Sequence, residues 1–499
     1  MRICGFLFVA TFLLGGFSPG VYASNDTSTR AMGLAQSYTA LARGPEAAFW
    51  NPANLALGGG VKFSWDAFSL GLTFIVENNS FSRQTYNDYF TTNSDFISTD
   101  DKAALLSDID DNGLRFNVDA VPHTALSLPA WVLGKKPIKT QLEKFMPGVG
   151  TYLDKVPTAV FILPTNKGVA FKMPWDIHSA VTLGVQFGNE GAVPKDLFDF
   201  MLYGNEFNRV YNIADWDGSG WFLGSLNWSG AKAWMPPQFK PYLSEFTVGA
   251  TLKLMGGAYG EVLESDGSLV SYFNDPVGGT GTDINPELIA QHGLGFGFGL
   301  DLGVAGVTRD RKTTFSVGLL NLLDTMSWGI ASRQERYFVR SSGLLAKSFT
   351  EVEDDFWEVL DNPRDENGEV IFNETISENS FSRSLPAMLR VGAAHQLMPE
   401  LTLVGNWDQA FSEGFGRRTT PRISGGAEYR PTPWLPLRLG VSVGGRASSS
   451  NIGFGFGPFN FPHVELRFLN FGVGTRGGLL PMGLKGFYLS GTVLEVKMN

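Results

Sequence analysis

The sequence predicts an all-β protein, a transmembrane antiparallel β-barrel of about 12–14 strands with helical insertions in its loops. Three observations predict it. Many segments of about ten residues carry an apolar side chain at every second position, the length and period of a tilted strand that crosses a bilayer. Gly supplies 60 of the 499 residues and aromatics 13%, while charged residues are held to 18%, against usual shares of ~7% Gly and ~25% charge. The chain also opens on an export signal, after which no apolar run approaches the ~20 residues of a membrane helix.

The signal is the first element. Met1 and Arg2 precede an apolar run over residues 3–17, then a Ser18-Pro19-Gly20 breaker and a small residue at Ala23. This is the pattern of a secretory signal peptide over residues 1–23, cleaved after Ala23. The single cysteine, Cys4, lies within it, so the exported chain reaches an oxidising compartment without disulfides. Residues 24–60 follow as a segment of small side chains, and residues 61–499 carry the alternation.

Over residues 246–255 the apolar face is Phe246, Val248, Ala250, Leu252 and Leu254, with Met255 out of phase. Over 294–304 Phe296, Phe298, Leu300, Leu302 and Val304 alternate with Gly and Asp301. Over 435–444 Leu437, Leu439, Val441 and Val443 alternate with Arg438, Gly440, Ser442 and Gly444, and Val181, Leu183, Val185 and Phe187 repeat the pattern. One face is bulky and apolar, the other Gly, Ser, Thr and charge, the apolar-out, polar-in code of an outer-membrane barrel. Strands of a soluble sandwich or propeller also alternate but average nearer ~5–6 residues. Long inserts are expected near 80–157, 190–245, 260–292 and 326–385. Helical spacing marks residues 135–154, Lys195–Tyr203 and residues 341–360 within them; such helices belong to loops, a cap or the lumen, not to a lipid-facing wall.

Composition excludes several activities. A net charge of −10 without a basic block argues against nucleic acid as a partner. Gly440-Val441-Ser442-Val443-Gly444 matches a nucleophile elbow by letter, but the alternation runs straight through Ser442, where an elbow needs a strand–turn–helix. Asp215 and Asp217 begin something like a calcium loop; Gly218 comes too early and position 224 is Gly, so a polar turn is the better reading and no metal site is assigned. His123, His178, His292, His395 and His463 are scattered without triad or metal spacing. No catalytic set emerges, the chain is read as no enzyme, and no cofactor is assigned. The alternating glycines over 293–299 and 453–457 leave room on one strand face for a ligand, a plug or neighbouring backbone, or else mark a tight barrel bend.

The start of the exported chain carries a resemblance. Arg30-Ala31-Met32-Gly33-Leu34-Ala35, Thr39-Ala40-Leu41-Ala42-Arg43-Gly44 and Glu46-Ala47-Ala48-Phe49-Trp50-Asn51-Pro52-Ala53-Asn54-Leu55 resemble the opening of FadL-type outer-membrane transporters and their PorV-like relatives. Leu319-Leu320-Asn321-Leu322-Leu323-Asp324, Trp407-Asp408-Gln409 and the stretch from Pro433 to Gly440 resemble an uncharacterised FadL-related family. The resemblance implies a monomeric outer-membrane barrel of ~14 strands with residues 24–60 as an N-terminal hatch inside it. The hatch motif is Phe49, Trp50, Asn51, Pro52 and Ala53: Asn51 bonds its own backbone and Pro52 stops helix propagation, turning the chain toward the first strand. The implied function is passive transport of hydrophobic small molecules, fatty-acid-like or hydrocarbon-like, with lipid and a hydrophobic ligand as partners. The alternative is a PorV-like docking or shuttle component for secretion of surface proteins. An apolar site between the cap and the hatch favours the first, a flat polar loop surface the second. The chain departs from the family in ending on Lys497-Met498-Asn499, without a terminal aromatic residue.

Overall fold

Strands this long leave a row of unpaired backbone groups on each edge unless a neighbour lies on both sides, and here one does. In this computed structural model the structure describes residues 28–60, 63–78, 114–122, 125–126, 167–203, 208–212, 217–274, 279–338, 373–432, 435–445, 450–457, 465–476 and 486–498, with single positions between 103 and 109 and at 206. The signal peptide, the helices expected over 135–154 and 341–360, His123, Asp215 and His463 lie outside them.

β1 (Phe63–Asn78) pairs along its length with β2 (Leu114–Pro122), β3 (Ala125–Leu126) and β4 (Lys167–Met173), which share one place in the wall. β2 and β4 both pair with β5 (Ile177–Val193). A short β6 (Val210–Asn212) stands apart, and β7 (Asp217–Ala233) joins β5 to β8 (Leu243–Asp266). With β6, the strands β9 (Ser268–Asn274) and β10 (Gly279–Ile284) form a separate three-stranded sheet. β8 pairs with β11 (Glu287–Thr308), and β11 with β12 (Thr313–Asp324) and β13 (Ser327–Phe338), a single wall strand broken at 325–326. β14 (Asn373–Ser377), β15 (Phe381–Ser382) and β16 (Met388–Met398) share the next place. Then β17 (Leu401–Ala410), β18 (Arg422–Thr432), β19 (Leu435–Gly444), β20 (Asn451–Phe456), β21 (Glu465–Arg476) and β22 (Gly486–Met498) pair in succession. β22 pairs with β1 from Gly486 to Met498. Every pairing is antiparallel, and the circuit of about 14 wall places returns to its start.

One end of the ring carries short connections, at 174–176, 234–242, 309–312 and 399–400; the other carries 79–113, 194–216 and 339–372. The expected helix Lys195–Tyr203 forms at the long-connection end. Much of the sequence expected as inserts is wall. β2 and β3 fall within 80–157, all 17 residues of β7 fall within 190–245, β8 and β11 extend into 260–292, and β13 to β15 fall within 326–385. The reason is visible in β7: Trp221 and Leu223 point in and Phe222 points out, so both faces are apolar and the period of two vanishes from the sequence. β8 has 24 residues, more than twice the 9–11 that cross a bilayer.

The faces are inverted relative to a soluble protein, whose apolar side chains turn inward. Leu252, Phe296, Phe298, Leu439, Val441 and Val443 are exposed on the outside, Phe298 by 60%. Thr182, Asn227, Lys253, Asp301, Arg390 and Arg438 are buried inside, Asp301 at 1%. No helix among the described residues is long and apolar enough to cross a membrane.

Candidate functional site

The interior has two storeys. The lower one, toward the short connections, is filled by residues 28–60. Ser28 caps the helix Thr29–Gly33, its Oγ accepting from the Ala31 amide at 3.1 Å, the ordinary N-cap bond. The helix lies against β19 to β22, and its small residues meet wall glycines. A Cβ added at Gly440 would stand 2.2 Å from the Leu34 carbonyl carbon, and one at Gly453 2.3 Å from the Met32 oxygen. Gly33 faces Gly455 in the same way. These glycines make room for neighbouring backbone, which decides between the readings of the 453–457 run. The 293–299 run makes room for a different neighbour: a Cβ at Gly295 would reach the Trp328 ring at 2.7 Å, and one at Gly297 the Met326 amide nitrogen at 2.6 Å.

The expected hatch motif sits at the centre of this storey. Phe49 and Trp50 are buried, Trp50 edge-on to Tyr38 with centroids 5.3 Å apart. The Arg390 guanidinium lies 4.6 Å from the Trp50 ring centroid, a cation–π contact, and its Nη1 donates to the Phe49 carbonyl at 3.5 Å. Asn51 does what the sequence asks and more. Its Oδ1 accepts from the Ala53 amide at 3.0 Å, while Nδ2 donates to Ser316 Oγ at 2.7 Å and to the carbonyls of Val304 and Val317 at 2.9 and 3.1 Å. Pro52 begins the next turn, and the Ala53 carbonyl accepts from Thr247 Oγ1 at 2.9 Å. Ser316 Oγ in turn donates to Asn54 Oδ1 at 3.0 Å, and Asn54 Nδ2 donates to the Thr39 carbonyl at 2.7 Å. Asn406 meets Thr39 twice, accepting from its amide at 3.3 Å and donating to its Oγ1 at 2.7 Å.

Two buried carboxylates complete the storey. Glu428 accepts from Arg30 Nε and Nη2 at 2.8 and 2.9 Å, from Arg438 Nε at 2.7 Å and from Arg430 at 2.8 and 3.1 Å. The fork of Arg30 makes the bidentate pair the strongest kind of charge-assisted bond. Asp408 lies 3.6 Å from Arg390 Nε and accepts from both Arg422 and Asn406.

The upper storey is built around aromatic rings, with the Glu261–Arg383 pair at its edge, where Glu261 accepts from Tyr259 at 2.9 Å and from Arg383 at 2.7 Å. Trp221 and Leu223 of β7, Met255 and Tyr259 of β8, Met326, Trp328 and Leu385 gather around Phe415, with Phe381 packed alongside. Met255, out of phase in the sequence, belongs here: it points inward at the height where the inner face turns from polar to apolar. Along β8 the inward residues are Thr247, Thr251 and Lys253 below, Met255 and Tyr259 above. Phe415 reaches this cluster from the connection 411–421 between β17 and β18, several places around the ring from β7 and β8. Its ring centroid lies 5.0 Å from Tyr259, 5.3 Å from Trp221 and 6.3 Å from Trp328. Arg418 of the same connection bonds Glu190 of β5 at 3.1 Å and Glu413 at 2.8 Å. Burial alone would raise the Glu413 pKa; the Arg418 guanidinium and the Thr419 donors outweigh it and hold the carboxyl below its usual range.

Residues 263–464 match the model of a family of unknown function, DUF5723. Among solved structures the chain is similar to a FadL homologue of Pseudomonas aeruginosa, at 12% identity over 96% of this chain and 97% of that one, with a TM-score of 0.46. It is similar to the toluene transporter TodX of Pseudomonas putida, at 11% identity over 94% and 98% of the two chains, TM-score 0.45. A TodX mutant described as a monoaromatic hydrocarbon channel gives 12% identity over 97% and 100%, TM-score 0.46. No curated protein matches.

The remaining sequence candidates fall outside the two storeys or into the wall. Asp217 opens β7 and pairs with Arg115 at 2.9 Å, and the described residues hold no group of three or more metal-ligating side chains. Ser442 is an inward strand residue whose Oγ accepts from Asn451 Nδ2 at 3.0 Å. His178, His292 and His395 stand on three separate strands. The Glu428 cluster and the aromatic cage were missed. Arg438 showed on the polar face of its segment, yet nothing in a linear sequence says which inward residues meet.

Proposed function

We propose that this chain is an outer-membrane β-barrel that passes hydrophobic small molecules inward by passive diffusion, with residues 28–60 as its hatch. One observation carries the reading: the ring is apolar outside, its inner wall is polar and charged at the level of residues 28–60, and a cluster of aromatic side chains gathers beneath the long-connection end. The outer apolar belt is the surface a bilayer covers. Trp175, Trp234 and Tyr242, exposed at the short-connection end, are residues of the kind that sit at a membrane interface. By the same rule the long connections face the outside of the cell. A molecule arriving there meets the cage of Trp221, Tyr259 and Trp328 before it meets the hatch. Such an apolar site is the feature that favours transport over a PorV-like docking role.

The test is whether the exported protein, purified in detergent, carries a lipid or hydrocarbon, and whether cells lacking it take up apolar compounds more slowly. Protease added to intact cells should cut within the long connections 79–113 or 339–372 and spare the wall strands. A protein that stays monodisperse in buffer without detergent, and is fully digested when folded, would sink the reading.

A further inference from the structure

The connection 411–421 is built against its own backbone preference. Gly414 and Arg417 exchange both backbone hydrogen bonds, at 3.2 and 2.9 Å, so Phe415 and Gly416 are the central pair of a tight turn. Their φ angles are +47° and +67°. Two positive angles define the mirror-image hairpin turn, whose first central place favours Asn, Asp or Gly. A Phe there is disfavoured, and it persists only where surrounding contacts over-determine it. The contacts are those of its ring. Phe415 stands edge-on to Trp221, with 70° between planes, and nearly parallel to Trp328, at 24°. Tyr259 closes a third side at 45°. These are the offset and edge-to-face arrangements that an aromatic quadrupole prefers.

The strap is also equipped to leave. Arg418 ties it to β5 through Glu190, but Glu413 on the strap itself holds the same guanidinium. When the strap lifts, Arg418 keeps Glu413 as its counter-charge.

We infer that residues 411–421 form a displaceable lid, with Phe415 the resident occupant of an aromatic-ring site formed by Trp221, Tyr259, Trp328 and Phe381. A flat apolar guest, an aromatic ring rather than an extended acyl chain, takes the place of the Phe415 ring and the turn swings out as Arg418 leaves Glu190. This rests on the reading that apolar molecules enter from the long-connection end. It adds that entry is a competition between the guest and the protein's own side chain.

The test uses the exported protein in detergent and N-phenyl-1-naphthylamine, followed by energy transfer from tryptophan against a protein-free micelle blank. Phe415→Ala removes the competitor and should tighten probe binding about tenfold, the factor expected if the lid is open about a tenth of the time. Glu190→Cys with Arg418→Cys, joined by a cleavable bismaleimide, pins the strap; the exported chain has no other cysteine. Pinned protein should lose probe binding and regain it on cleavage. Heat-modifiable gel mobility confirms that each variant is folded. If Phe415→Ala leaves binding unchanged or weaker while Trp221→Ala weakens it, the cage binds guests with Phe415 as part of its wall; the lid is then overturned and the transport reading stands. Absence of binding to wild type and Phe415→Ala alike, with both folded, overturns the lid and the cage together.

Discussion

The two storeys of the interior are held by different chemistry. Below, residues 28–60 pack apolar side chains on the wall, but directional bonds fix their place: Asn51 to three wall acceptors, Asn406 to Thr39, and Arg30 to Glu428. Moving the hatch by an ångström would leave buried donors and charges unsatisfied, at about 1–3 kcal/mol for each neutral group and more for each charge. Above, the contacts around Phe415 are ring against ring. Another apolar ring can replace such contacts with little loss, because dispersion and burial do not depend on a matched donor and acceptor. A polar interface fixes one partner, and an apolar cage accepts several.

The largest expected effect comes from removing the lower partner altogether. Deleting residues 28–60 should leave a folded ring, since the strands pair with one another, and should open a water-filled, ion-conducting pore in planar bilayers. Loss of folding would make this segment part of the wall; unchanged conductance in a folded ring would mean that something else closes it. Next is Glu428→Ala, which strands Arg30, Arg430 and Arg438 around an empty place. Breaking a buried ion cluster from one side costs about 3–5 kcal/mol, read as a lower midpoint in denaturant unfolding from micelles. An effect below about 1 kcal/mol, the size of an exposed pair, would place the cluster in bulk water and break the contrast between storeys.

Val441→Arg sharpens the comparison of inside with outside. Val441 is 47% exposed on the outer face, and an arginine near the bilayer midplane costs about 2–4 kcal/mol. The same change in a water-facing strand would cost almost nothing, so refolding into vesicles distinguishes the two. The smallest effect is Asn51→Ala, which removes a turn cap and the bonds to Ser316, Val304 and Val317. About 1–3 kcal/mol is expected for the acceptors left buried, together with brief channel openings in single-channel records. Records as quiet as wild type would show that the other bonds to the wall, Arg30–Glu428 and Thr39–Asn406 among them, hold the segment without Asn51.

Sequence alone determined the outer face, the small-residue segment that enters the ring, and the turn at Asn51 and Pro52. Those features are local: a period of two assigns each side chain to a face, and Asn51 caps a residue two places on. It mistook Met255 for an error of phase and hid β7, because alternation is readable only while the inner face is polar, and in the upper storey it is not. The tertiary structure decided which inward residues meet. Arg30 and Glu428 stand 398 residues apart, and Phe415 reaches rings on β7, β8 and β13, none of them next to its own strands. Such pairs depend on the closure and register of the whole ring, and a repeat of two residues carries no record of either.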